Sequence, residues 1–201
     1  VVKGLETLCF IEQGNPMPIS RLIQKRCAVL VLDMQEKLLP QIDQSQLVIG
    51  QVGRMIDGAN ALEVPVLVTE QYRKGLGETV EPLKSKLAHA VCNEEKMLFS
   101  ALIPSVLSKL RELEVTQVVV CGIETHICVM QTCLDLIEKG FETAVVADAV
   151  GSRRALDHQT GMQRMLANGI VPVTVESVLL EWVKEAGTAA FKAVLPVIRP
   201  L

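Results

Sequence analysis

The chain has 201 residues, a formal charge of −3, and a composition that is 49% apolar but only 3% aromatic. That length suits one domain with a substantial core. The mild charge, with no basic stripe and no RNA-binding aromatic pattern, argues against nucleic acid as a partner, and no apolar run is long enough to cross a membrane.

Residues 1–18 read as an N-terminal extension and 19–201 as one domain. Glu6 and Glu12 argue against a transit peptide, and the broken apolar pieces argue against a secretory signal. Met17 makes a plausible start for the domain proper. The upstream segment is an alternative start, an extension or an expression remnant. The six cysteines are Cys9, Cys27, Cys92, Cys121, Cys128 and Cys133, and no two form a C-x-x-C pair. A domain of this size needs no disulfides for its core, so mostly free thiols and a reducing compartment are expected. The expected location is cytoplasmic, with a mitochondrial one as the alternative.

The run Cys27–Leu32 predicts a first buried strand that ends at Asp33. A helix is predicted over about 44–62. Pro65 opens a second strand over 66–69, and Glu70–Gly77 reads as a loop. Residues 78–90 are mixed and interrupted by Pro82. A short extended piece is predicted over Lys96–Ser100, then a helix over 103–113 with Pro104 in its first turn. A strand over 117–121 leads through a turn into a helix over 126–139, stopped by Gly140. A strand over 143–147 ends at Asp148. Ser152 is the predicted cap of a helix reaching Ala167. A last strand over 170–175 and two further helical stretches complete the chain. Strands alternating with helices predict an α/β fold: three αβα layers, Rossmann-like, around a central, mostly parallel sheet.

Reactive groups fall at the strand ends. Asp33 follows the first strand, Lys96 lies between the second strand and the 117–121 strand, and Cys128 follows that later strand at a strand–turn–helix junction. The carboxylate can take the thiol proton, the ammonium can hold nearby negative charge, and the thiolate can attack a carbonyl carbon. Backbone N–H groups of the turn can hold the developing oxyanion. A helix N-terminus at Cys128 would favour the thiolate. Each residue also has a plain reading: Asp33 as a cap or turn former, Lys96 as a solvated cation, Cys128 as a core filler. Cys27, Cys121 and Cys133 are expected to be core. His126, two residues before Cys128, faces away from it on a helix. Asp148 is expected to cap a helix or turn, and Arg153 and Arg154 to form a solvated helix start, with carboxylate binding as the alternative.

Taken together these segments resemble the isochorismatase-like cysteine hydrolases, a family that includes nicotinamidases. The resemblance runs from about Cys27 to Val178. It rests on Val31-Leu32-Asp33-Met34-Gln35, on Lys96 with Phe99-Ser100, on Gly122-Ile123-Glu124-Thr125-His126-Ile127-Cys128-Val129, and on Asp148-Ala149. It implies a catalytic triad of Asp33 as base, Lys96 as electrostatic partner and Cys128 as nucleophile. It also implies a cis peptide at Ile123–Glu124 and an oxyanion hole made by the N–H groups of Glu124 and Cys128. The loop after the second strand and the Lys96 segment look closest to the eukaryotic isochorismatase-domain proteins and the parasite proteins like them. Gln71, Tyr72 and Phe99 are then candidate pocket residues.

Nicotinamidases place an Asp and two His after the second strand to hold a metal. Here that stretch reads Thr69-Glu70-Gln71-Tyr72-Arg73, and His89, His126 and His158 are scattered. No metal and no cofactor are predicted. Isochorismatases proper lack the cysteine, so Cys128 argues against isochorismate as substrate. The implied activity is metal-independent hydrolysis of a C–N bond in a small amide through a thioester. The alternatives are a catalytically lapsed interaction protein on the same fold and a vinyl-ether hydrolase. A dinucleotide site would need G-x-G-x-x-G after the first strand, where the chain has Asp33-Met34-Gln35-Glu36-Lys37-Leu38. The family often assembles as dimers or tetramers, so a homo-oligomer acting on a small-molecule substrate is expected.

Overall fold

The computed structural model describes residues 21–199. The expected extension, with Met17 and Cys9, lies outside the described residues. The strands are β1 (Cys27–Leu32), β2 (Val66–Gln71), β3 (Cys92–Lys96), β4 (Gln117–Ile123), β5 (Glu142–Gly151) and β6 (Val171–Val173). The helices are α1 (Ser45–Ala61), α2 (Arg73–Leu76), α3 (Glu81–Lys84), α4 (Pro104–Glu112), α5 (Met130–Glu138), α6 (Ala155–Ala167), α7 (Val175–Val183) and α8 (Ala189–Ile198). The six strands form one sheet in the order β3-β2-β1-β4-β5-β6, and every pairing is parallel.

The apolar runs read from the sequence are strands buried on both faces. Successive side chains of a strand point to opposite sides. Cys27, Val29 and Val31 of β1 therefore join Val119, Cys121 and Ile123 of β4 in a core under α1, α7 and α8. Ala28, Leu30 and Leu32 join Val118 and Val120 in a second core under α4, α5 and α6. Three layers follow from that alternation. Cys27, Cys121 and Cys133 fill these cores as expected. Cys27 also accepts a hydrogen bond from the Trp182 indole at 3.3 Å.

The order places β1 between β2 and β4, so the chain leaves β1 in one direction and later returns on its other side. Such a switch point opens a crevice beyond the carboxyl ends of the two central strands. Asp33 follows one of those ends and the Glu124–Cys128 turn follows the other.

Several expected boundaries move. The extended piece near Lys96 ends there rather than starting there. β3 is an edge strand whose residues alternate between partly buried and exposed, so it carries no apolar run to announce it. β2 continues through Glu70 and Gln71, because both side chains are buried by partners that a loop reading does not supply. β5 runs past Asp148 to Gly151, with an irregularity in its pairing to β4 between Val120 and Gly122. Ser152 caps nothing; α6 starts at Ala155 after Arg154, and the Ser152 hydroxyl is engaged elsewhere. Asp148 does cap a helix: its Oδ1 accepts from the Val175 N–H at 3.0 Å, the first residue of α7.

Candidate active site

Asp33 sits in the left-handed region, φ 55°, directly after β1. Asp is one of the few side chains that tolerate that conformation. Its N–H donates to Thr69 O at 3.0 Å and its carbonyl accepts from Gln35 N at 2.7 Å, which fixes the turn. The carboxylate is wholly buried. Oδ1 accepts from the Thr69 hydroxyl at 3.3 Å, and Oδ2 lies 2.8 Å from Lys96 Nζ.

Lys96 ends β3, two strands away from β1, and its side chain crosses the end of β2 to reach Asp33. It is 2% exposed, which requires that every donor be used. Besides Asp33, the ammonium faces Gln71 Oε1 at 2.6 Å, Phe99 O at 3.0 Å and Leu98 O at 3.3 Å. Gln71 is the register partner of Lys96 in the β2–β3 ladder, and its Nε2 donates to Met97 O at 3.0 Å. Gln71 therefore holds both the ammonium and the loop that follows it. Of the other two candidate pocket residues, Tyr72 is 42% exposed and Phe99 is 55% exposed. Phe99 meets the site through its backbone carbonyl.

The turn after β4 is a π-helical one over Thr125–Val129, with the Val129 N–H donating to Glu124 O at 3.2 Å. Such turns recur at functional sites. The Ile123–Glu124 peptide is cis. Gly122 before it has φ 115° and lies against the β1 backbone. Cys128 is almost fully buried, and its thiol is close enough to the Asp33 carboxylate and the Lys96 ammonium to be shifted by both. Its carbonyl accepts from the Thr132 hydroxyl at 2.6 Å, and the same hydroxyl accepts from Ala101 N at 2.8 Å. Thr132 thus ties the Cys128 turn to the loop that closes over Lys96.

Burial pushes the Cys128 thiol up to about 12, the negative charge of Asp33 adds to this, and the Lys96 ammonium opposes it. At that value the thiol keeps its proton near neutral pH, against the expected thiolate. The helical run does start close by, since the Thr125–Val129 turn leads directly into α5, so burial outweighs whatever the helix end supplies. Burial also raises the Asp33 carboxyl, against the pull of Lys96. A raised carboxyl is the stronger base.

His126 faces away from Cys128; its Nδ1 lies 3.0 Å from the Ser152 hydroxyl. His158 Nδ1 is 3.0 Å from the Thr125 hydroxyl. Arg153 is half-exposed, and its N–H and Nε both donate to Glu124 Oε2 at 3.1 Å. The carboxylate it binds is the protein's own. A cavity of about 530 Å³, lined in part by Gln44, Leu47, Asp148, Ser152 and His158, lies to one side of this cluster. Neither Asp33, Lys96 nor Cys128 lines it.

At the end of β2, burial pushes Glu70 up. Hydrogen bonds from the Thr79 N–H and hydroxyl, both at 2.6 Å, and from Arg73 outweigh burial and hold it below the usual carboxylate range. Both oxygens are committed to structure. Among the described residues no group of three His, Cys, Asp or Glu is placed to hold a metal ion, and no helix is long and apolar enough to cross a membrane.

Residues 27–177 match the isochorismatase domain. The chain belongs to the isochorismatase family. It is 41% identical over 168 residues to isochorismatase domain-containing protein 1 of Danio rerio, covering 83% of this chain and 59% of that protein. It thus spans about three-fifths of that relative's length. Among solved structures, the MAR1 ribonuclease of Caenorhabditis elegans superposes with a TM-score of 0.85 at 38% identity, covering 89% of this chain and 92% of that one. YcaC of Pseudomonas aeruginosa, solved with hexane-2,5-diol and covalent acrylamide, gives 0.81 at 25% identity, covering 89% and 91%. The isochorismatase fold, with its parallel sheet between helical layers, is therefore shared along most of the described chain.

Two contributors to this cluster carried no assigned role in the sequence. Gln35 is fully buried; its Nε2 donates to Gln71 O at 2.8 Å and Gly77 O at 2.7 Å, and its Oε1 accepts from Gln71 N at 2.8 Å. Its signal in the sequence was its place at the end of the Val31–Gln35 motif, two residues after Asp33. Thr132 gave none, since a Thr one helical turn beyond Cys128 reads as ordinary helix.

Proposed function

We propose that this chain is a metal-independent cysteine hydrolase that cleaves the C–N bond of a small uncharged amide. The observation that carries the reading is the meeting of the Cys128 thiol, the Asp33 carboxylate and the Lys96 ammonium in one buried cluster. Asp33 takes the thiol proton as sulfur attacks the carbonyl carbon. The oxyanion is held by the N–H groups of Glu124 and Cys128. Collapse returns the proton from Asp33 to the departing amine and leaves a thioester on Cys128. Asp33 then draws a proton from water, whose oxygen attacks the thioester. The carboxylic acid leaves and the thiol is restored. Lys96 keeps its charge throughout and compensates Asp33 whenever Asp33 is ionised.

An uncharged substrate follows from the pairing of the buried charges named above. Lys96 is matched by Asp33, Glu124 by Arg153 and Glu70 by Arg73. An ionic substrate would add an uncompensated charge to a desolvated site. Small size follows from the 6% exposure of Cys128, which leaves little room beside sulfur. The acrylamide held covalently by the Pseudomonas aeruginosa neighbour is an amide of this class. The Caenorhabditis elegans neighbour is called a ribonuclease, but a net charge of −3 offers this chain little attraction for a phosphate backbone.

The test is intact-mass measurement after incubation with a panel of small primary amides. An acyl adduct on Cys128, absent from Cys128→Ala, is the expected result. Turnover of any such amide that survives Cys128→Ala would show that another group is the nucleophile. A chain that forms no adduct and turns over nothing is the lapsed interaction protein instead.

A further inference from the structure

We infer that the segment Ser152–His158, running from the end of β5 into α6, is a positioning bracket for the nucleophile turn, with Arg153 aiming the Glu124 N–H. This role rests on the hydrolase reading above. Three successive residues of the turn are each held from this one segment. Glu124 is held by the N–H and Nε of Arg153, both at 3.1 Å. Thr125 is held by His158 and His126 by Ser152, each at 3.0 Å. The backing is close: a Cβ added at Gly161 of α6 would lie 2.9 Å from His126 Cα. The turn is thus pinned at its first residues, Glu124, Thr125 and His126.

The Glu124–Arg153 contact differs from an ordinary surface ion pair. The Glu124 side chain is 8% exposed, and one of its oxygens takes both a backbone and a guanidinium donor. A doubly held side chain fixes the rotation of its own Cα, and with it the direction of the adjoining N–H. An oxyanion donor is effective only when it is already aimed at the place where charge develops. The Arg153 guanidinium is engaged by the Glu124 carboxylate and acts through it. Its effect must therefore appear in addition to a carbonyl and not in the intrinsic reactivity of the thiol.

Two probes separate these effects in the full chain. Acetylation of Cys128 by p-nitrophenyl acetate passes through a tetrahedral oxyanion. Alkylation by iodoacetamide displaces iodide at a saturated carbon and needs no oxyanion donor. The expected result is that Arg153→Ala and Glu124→Ala slow acetylation about tenfold or more, short of the roughly hundredfold seen when a donor is lost outright. Alkylation of both variants should stay within about twofold of wild type. Glu124→Gln, whose amide oxygen accepts from the same two donors, should recover at least about a third of the wild-type acetylation rate. Arg153 is half-exposed, so its truncation leaves the core intact. Acetylation at the wild-type rate in both alanine variants, or acetylation and alkylation falling in parallel, would overturn the bracket role alone. A wild-type chain that p-nitrophenyl acetate does not acetylate at Cys128 would overturn the hydrolase reading and this role together.

Discussion

Lys96 Nζ lies 2.8 Å from Asp33 Oδ2, and neither side chain has any solvent contact. Two charges so deeply buried are tolerable only as a pair, because each alone would be stranded away from water. Lys96→Met leaves the Asp33 carboxylate with the Thr69 hydroxyl and the thiol. The expected cost is about 3–5 kcal/mol of folding stability at neutral pH. Urea unfolding checks it. Adding Asp33→Asn to Lys96→Met should restore part of the loss, since no buried charge then remains. If the double variant were as unstable as the two single losses summed, the pair would not be coupled.

The Cys128 thiol, pushed up to about 12 by burial and by Asp33, sets a second expectation. Iodoacetamide should label it slowly near pH 7, and the rate should keep rising above pH 10. Asp33→Asn removes one of the groups holding the proton on sulfur, so it should lower that alkylation midpoint while abolishing amide hydrolysis. A stopped-flow profile with a midpoint near 8 in the wild type would contradict the neutral-thiol reading. Hydrolysis should instead fall on the acid side, as Asp33 is protonated at a pH above the ordinary carboxylate range.

Stability should change at the alkaline end as well. Burial raises Cys27 to about 11 and Cys121 to about 12 from an ordinary 9.0, and it raises Cys133 in the same direction. The folded chain keeps these protons after the unfolded chain has released them. The stability they support is fully present below pH 9 and is lost as pH rises toward 11 and beyond. Unfolding midpoints measured from pH 8 to 11 should decline. Cys133→Ala should flatten part of that decline while costing some packing. A midpoint that is flat across this range would sink the prediction.

The central half of the sheet was readable because β1 and β4 are continuous apolar runs, and the strand-end positions of Asp33 and Cys128 followed from them. Bonds between segments distant in sequence were not readable. β3 carries the pattern Cys92-Asn93-Glu94-Glu95-Lys96, which suits an edge strand and looks like a polar loop. Glu70 and Gln71 look equally loop-like until Thr79 and Lys96 are seen to bury them. Arg153 read as a solvated helix start because Glu124 is 29 residues away. Local pattern reports which face is apolar; it does not report which polar group will find which partner.

Gln71 offers a direct test of the site's upper half. Its amide accepts from Lys96 at 2.6 Å and donates to Met97 O at 3.0 Å. Gln71→Leu removes both bonds at similar volume, leaving the Lys96 ammonium with Asp33 and two carbonyls and the Met97 carbonyl without its donor, at about 1–3 kcal/mol. Acetylation of Cys128 by p-nitrophenyl acetate should slow, because the Lys96 ammonium and the loop over it lose their shared support. Gln71→Glu should do worse in a different way, by placing a second carboxylate on Lys96 and raising Asp33 further. Its hydrolysis profile should shift toward higher pH on the acid limb. Identical profiles for wild type and Gln71→Glu would remove Gln71 from the site.

Gly122 carries the most exacting steric demand at the site. Its φ is 115°, a conformation that residues with side chains rarely adopt, and an added Cβ would lie 2.1 Å from Leu32 O and 2.7 Å from Leu32 N. Leu32 is its register partner across the β1–β4 ladder, one residue before Asp33. Neither strand backbone can yield without disturbing both halves of the Asp33–Lys96–Cys128 cluster. Gly122→Ala should therefore lose at least about 3 kcal/mol, the sum of a strained backbone and an overpacked contact. Gly140 isolates the first part: its φ is 86°, with open space where a Cβ would go. Gly140→Ala should cost about 1–2 kcal/mol and leave acetylation of Cys128 intact, while Gly122→Ala should lose it even under conditions where the variant remains folded. Equal destabilisation by the two substitutions would mean that conformation, and not the closeness of β1 and β4, is what Gly122 supplies.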